Sequence, residues 1–157
     1  MGKKISRSVL VSLGSLALVG SLGLGAIAQK SNFGEIKVSS NPVTVTGTTG
    51  GNTSLSAIAG NKDSSGAPCI GFGDPTPDHT MTLTKKMGRL NLQVDSKGVD
   101  TTIVILGPDG DLRCGDDTGS KKDASLEDND WKPGVYQIWV GSMKPSIRQN
   151  YRLTVKS

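Results

Sequence analysis

Six aspartates, Asp95, Asp100, Asp109, Asp111, Asp116 and Asp117, fall within 23 residues of one another. Carboxylates at that density are hard oxygen donors, and calcium takes about six to eight such oxygens from carboxylates and carbonyls. Asp116 and Asp117 are the leading ligands, with Asp100 or Asp109 as the third. The spacing fits neither an EF-hand nor a glycine-rich calcium repeat. Aspartate is also a common turn residue, so turn chemistry is the competing explanation. Calcium is the one cofactor the sequence suggests. Other reactive parts are few: one His, two Cys, and Glu only at Glu35 and Glu127. His79 follows Asp78, but no nucleophile, base and orienting group stand together at a recognisable spacing. A lone His beside two paired Cys cannot build a zinc site. The expectation is therefore a protein that is not an enzyme, with a small secreted hydrolase as the least favoured alternative. Trp139 shares a strand face with Val135 and Gln137, opposite Tyr136, Ile138 and Val140. On an exposed face it is a flat platform for a sugar ring or a partner's apolar surface; its other place is the core. Trp131, in the turn-rich run Asp128–Pro133, is placed to cap one end of a fold.

The start of the chain states where these residues work. Lys3, Lys4 and Arg7 precede an uncharged run from Val9 to Ile27, and Ala26-Ile27-Ala28 is an A-x-A signal that places cleavage between Ala28 and Gln29. That is the plan of a secretory signal peptide over residues 1–28. The run is just long enough to be an uncleaved anchor, but five Gly and five Ser in residues 1–28 favour cleavage, leaving no stable membrane anchor. The protein is expected in the periplasm or outside the cell. In an oxidising compartment Cys69 and Cys114 are expected to pair. A bridge closing a loop of about 45 residues contributes about 3–4 kcal/mol through unfolded-state entropy. Cleavage also removes three of the 18 basic residues, leaving 15 against 14 acidic ones. Without clustered Lys and Arg, nucleic acid is excluded as a partner.

The elements that must position these groups are strands. Residues 29–41 form a lead-in with one apolar alternation, Phe33, Ile36 and Val38, which reads as a short strand or a mobile segment, and a β domain is expected over 42–157. Val43 and Val45 alternate with Thr, Leu55 to Ala59 reads as a weak strand, and Met81 and Leu83 alternate with Thr80, Thr82 and Thr84. Leu90, Leu92 and Val94 fall on one face, as a half-buried antiparallel strand requires. Thr101 to Leu106 is apolar on both faces and reads as a central strand, and Val135–Val140 and Tyr151–Val155 complete the pattern. No window carries a 3.6-residue stripe. Seven to nine short antiparallel strands separated by turns predict an all-β, jelly-roll-like sandwich.

Asp100-Thr101-Thr102-Ile103, Gly107-Pro108-Asp109-Gly110 and Asp116-Asp117, followed by Pro133-Gly134-Val135-Tyr136 and the closing Tyr151-Arg152-Leu153-Thr154-Val155, resemble the bacterial pre-peptidase C-terminal domain. The resemblance covers about residues 80–157 and implies a compact sandwich found on secreted bacterial proteins, often beside a peptidase. It also implies a role in secretion, localisation or substrate contact rather than cleavage. No peptidase accompanies the domain in this sequence. The expected function is a non-catalytic accessory module recognising an extracytoplasmic protein or glycan surface; the alternative is a calcium-stabilised adhesion or envelope module.

Overall fold

The computed structural model describes residues 30–157. The expected signal segment and its expected cleavage point at Ala28/Gln29 lie outside the described residues. Twelve strands and one short helix follow in the order β1 (Glu35–Ile36), β2 (Val43–Thr48), β3 (Thr53–Ser54), α1 (Leu55–Ala59), β4 (Phe72–Gly73), β5 (His79–Leu83), β6 (Leu90–Asp95), β7 (Thr101–Leu106), β8 (Leu112–Gly115), β9 (Asp117–Thr118), β10 (Lys121–Asp128), β11 (Gly134–Ser142) and β12 (Asn150–Lys156). Eight of them carry the architecture. One sheet runs β2-β12-β6-β10, extended by β9, and the other runs β5-β11-β7-β8, extended by β1, β4 and β3. Apart from the β7–β8 hairpin, successive principal strands alternate between the sheets, which is jelly-roll topology. All pairings are antiparallel except β1 on β5.

Period-two alternation builds the interior. Leu90, Leu92 and Val94 of β6 and Tyr151, Leu153 and Val155 of β12 face inward from one sheet, meeting Met81, Ile103, Ile105, Tyr136, Ile138 and Val140 from the other. β7 is apolar on both faces because both are covered. Its outward Val104 joins a second cluster with Leu55, Cys69, Leu112, Cys114 and Trp139. This outer layer is roofed by α1 and the loop over residues 60–69.

One expectation changes, two strands escape the sequence pattern, and the open choice over the lead-in is decided. Leu55–Ala59 is a helix rather than a strand; Leu55, Ile58 and Ala59 lie at helical spacing and all join the outer cluster. β8 and β10 have little alternation to betray them, since β10 starts Lys-Lys-Asp and β8 buries Arg113. The lead-in is part of the sheet: Ile36 is fully buried and pairs with Met81.

One end of the sandwich is closed. Trp131 is fully buried there, donates its indole N–H to Asp128 O at 2.9 Å and packs on Tyr136. The Arg113 guanidinium lies 4.3 Å above the Trp131 ring and reaches Asp111 and Asp128, each at 2.6 Å. The expected cap is in place.

Candidate functional site

At the opposite end, loops 49–52, 73–78, 96–100 and 143–149 meet where β2, β6 and β11 finish and β7 and β12 begin. The expected acidic ligands divide between the two ends. Asp100, at the start of β7, and Asp116 and Asp117, after β8, bring carboxylate oxygens within 4.8 Å of one another. Asp116 is pushed above the usual carboxylate range by burial and then by the charges of Asp117 and Asp100. Its Oδ1 is buried without a hydrogen-bond partner among the described residues. Lys122 supplies one compensating charge, 3.3 Å from Asp100. Asp109 cannot be the third ligand. It sits on the Pro108–Gly110 turn at the closed end, with φ of 62°, and its nearest cation is Lys132 at 3.8 Å. Strand order separates it from the others: the β7–β8 hairpin carries it the length of the sheet away from Asp100 and Asp116.

Turn chemistry is realised at other aspartates. The Asp63 carboxylate accepts N–H bonds from Ser65 and Ala67 at 2.9 Å and from Cys114 at 3.2 Å. Burial opposes ionisation there, yet the Ser65 hydroxyl, which donates to the same carboxylate at 2.7 Å, and these N–H bonds hold the group below its ordinary range. Asp74 accepts the Thr76 N–H. Asp63 thereby ties the 60–69 loop to β8 beside the Cys69–Cys114 disulfide, whose Cα atoms are 5.2 Å apart. The disulfide follows the expectation; the role of Asp63 is visible only once the loop is folded onto β8.

Trp139 is not an exposed platform. It is 2% exposed, enclosed between β11 and the α1 roof. The expectation of an outward ligand surface fails because that strand face has a second core over it. Period-two reasoning identified which residues share the face but not what covers it.

His79 is also sealed. It is fully buried, and its Nε2 lies 3.0 Å from Tyr151 Oη across the sandwich. Burial holds its imidazole down to about 4 and pushes the Tyr151 hydroxyl upward. Beside it, Asp78 Oδ2 accepts the Val140 N–H at 2.7 Å. β5 begins opposite Ile138, and beyond it β4 takes up pairing along the same edge of β11 only at Ser142. The Asp78 carboxylate therefore fills the gap between two strands. Burial raises this carboxyl to about 7, with the Asp74 charge adding to the rise and the Val140 N–H opposing it.

The residue that sequence reasoning did not single out is Phe33. It is 43% exposed, with its ring against His79 and edge-on to Tyr151. A groove of about 590 Å³ lies on one side, reaching across Thr46, Asn150 and Arg152 to Asp95. A second hollow of about 400 Å³ lies on the other, toward Gly51, Asp78 and Arg148. No sequence signal marks it, because residues 31–34 are not strand and alternation does not assign its face.

The two sheets and their strand order now allow comparison with solved structures. A pre-peptidase C-terminal domain of a collagenase from Bacillus anthracis superimposes at a TM-score of 0.50, covering 81% of this chain and 97% of that one at 16% identity. The fold is that of a pre-peptidase C-terminal domain. The resemblance noted over residues 80–157 thus extends, as a fold, to most of the chain. A second structure, Aeromonas hydrophila PliG, a periplasmic lysozyme inhibitor of g-type lysozyme, aligns over 81% of this chain and 98% of its own at 12% identity. Its TM-score of 0.43 is too loose to carry function. No protein-family model and no curated protein matches the sequence.

Proposed function

We propose that this protein is an exported, non-catalytic accessory module that attaches to an extracytoplasmic surface through the open end of its sandwich. The observation that carries this reading is the position of His79. The group best suited to proton transfer near neutral pH is fully buried and hydrogen-bonded to Tyr151, where no substrate reaches it. Asp78, the acid beside it, is occupied in joining two strands. The Cys69–Cys114 bridge supports an oxidising compartment. The pre-peptidase C-terminal fold supports an accessory role. The test has two arms. Cosedimentation of the disulfide-bonded protein with isolated envelope and extracellular polymers is expected to show saturable retention. A panel of ester, peptide and glycoside substrates is expected to show no turnover, and turnover that is lost with a single active-site substitution overturns the reading.

A second reading is favoured by one observation, the convergence of Asp100, Asp116 and Asp117 around the orphaned Asp116 Oδ1. Three carboxylates suit a hard cation such as calcium, which would neutralise the repulsion that raises Asp116. In this reading the ion orders the open end of an adhesion or envelope module. Thermal unfolding in millimolar calcium against chelator decides it, because a ligand that binds only the native state raises the midpoint by several degrees at saturation. The shift is expected to vanish in Asp116→Asn/Asp117→Asn. No shift in the unsubstituted protein assigns the cluster to the surface.

A further inference from the structure

We propose that the groove flanking Phe33 is a binding site for a neutral oligosaccharide, with the Phe33 ring as the surface on which one sugar stacks. This deepens the accessory reading and rests on it. Phe33 is presented rather than left over. Its backbone N–H donates to Asp78 O at 2.8 Å, and that of Asn32 donates to Pro77 O at 2.9 Å, fixing the segment to the loop before β5. The ring stands at 90° to Tyr151, with centroids 6.5 Å apart, and 5.8 Å from His79. Gly47 makes this footing possible. A Cβ there would lie 2.3 Å from Tyr151 Oη and 2.9 Å from Phe33 Cδ2, so a residue without a side chain stands where two rings converge. An aromatic ring held this way loses little further freedom on binding.

The surrounding groups match a sugar better than a peptide. A pyranose has an apolar C–H face and a rim of hydroxyls that both donate and accept. The groove offers one aromatic face and a polar rim built from Thr46, Gln149, Asn150, Arg152 and Asp95. The planar groups on that rim are preset: Arg152 reaches Asp95 at 2.7 Å, and Lys97 reaches the same carboxylate at 3.3 Å. A carboxylate and a guanidinium side by side can accept from one hydroxyl and donate to its neighbour. Arg152 and Lys97 are both engaged by Asp95, so an acidic ligand would have to displace that carboxylate and a basic one would meet two cations, which leaves an uncharged, hydroxyl-rich ligand favoured. A peptide would need apolar side pockets for its anchors, and Phe33 is the one exposed large apolar residue among those that line the groove. The volumes, about 590 and 400 Å³, lie within the range of about 300–1,000 Å³ common for small-molecule sites. The two hollows share Phe33 and Thr48, so a chain of sugars can continue past the ring.

The experiment is a glycan array probed with the exported, disulfide-bonded protein, followed by calorimetric titration of the strongest neutral oligosaccharide. Saturable binding is expected, and Phe33→Ala is expected to weaken it by at least about tenfold, as for a central aromatic anchor, with the thermal midpoint little changed. Thr46→Arg leaves the ring in place and fills the larger hollow from an exposed position; it is expected to weaken binding comparably. No array signal, or signal confined to charged glycans, overturns the proposal. Neutral-sugar binding that survives both substitutions also overturns it, while leaving the accessory reading intact with its attachment surface elsewhere. Retention on a polymer lost in Phe33→Ala without any sugar binding keeps the groove and overturns the ligand class.

Discussion

Asp78 and His79 are adjacent in sequence, and burial drives their titrations in opposite directions. Asp78 rises from 3.8 to about 7 on folding, so its contribution to stability is full below its ordinary value and is lost as pH rises through about 7. His79 falls from 6.5 to about 4, so its contribution is present above its ordinary value and is lost as pH falls through about 4. The thermal midpoint is expected to fall modestly between about pH 6 and about pH 8, where Asp78 is forced to ionise in the native state and the loss of a proton from His79 in the unfolded chain offsets part of the drop. Asp78→Asn keeps an acceptor for the Val140 N–H and removes the charge, and it is expected to flatten that fall. A midpoint in the variant that still drops over the same interval assigns the effect to another group. Trp139 offers a contrast with Phe33 at this scale. Trp139→Ala is expected to destabilise by about 3–5 kcal/mol in denaturant melts, because it opens a cavity in the outer core. Trp139→Phe is expected to cost less, since the indole N–H is buried without a hydrogen-bond partner among the described residues.

Among the elements, α1 and the 60–69 loop act as one roof over β7, β8 and β11. A five-residue helix is too short to persist alone in water, so tertiary contacts must hold it. Leu55 supplies one, fully buried against the outer sheet face, and the disulfide and Asp63 pin the loop that follows. Replacing both cysteines with serine is expected to lower stability by about 2–4 kcal/mol. Amide hydrogen exchange is expected to rise first in residues 55–69, ahead of β6 and β12, because the roof alone loses its tether. Uniform acceleration in all strands would show instead that the bridge stabilises the sandwich only as a whole.

For the molecule as a whole, the two ends differ in kind. One is filled by Trp131, Tyr136 and the bridged Arg113, whose side chain is 8% exposed. The other gathers the loops, the grooves and the acidic cluster. Arg113→Lys retains the charge but loses the planar fork that meets Asp111 and Asp128 while lying over the Trp131 ring. It is expected to lower stability by about 1–3 kcal/mol in urea melts without altering any binding at the open end, nearly the length of a strand away. A loss of binding in that variant would mean that the two ends are coupled through the core.

Local pattern was enough to predict a β-sandwich stapled between Cys69 and Cys114. Alternation in β6, β11 and β12 records which side chains a pleated strand sends to each face, and that information is carried by each segment alone. Strands rich in charge were hidden, because β8 and β10 are specified by partners: Arg113 by Asp111 and Asp128, and Leu126 by its place opposite Leu92. Tertiary structure alone decided the chemistry of the surface. It put Asp100 with Asp116 and Asp117 and sent Asp109 to the far end, because strand direction determines which loops become neighbours. It covered Trp139 with a roof and left Phe33 in the open, since burial depends on what packs over a face and not on the residue that occupies it.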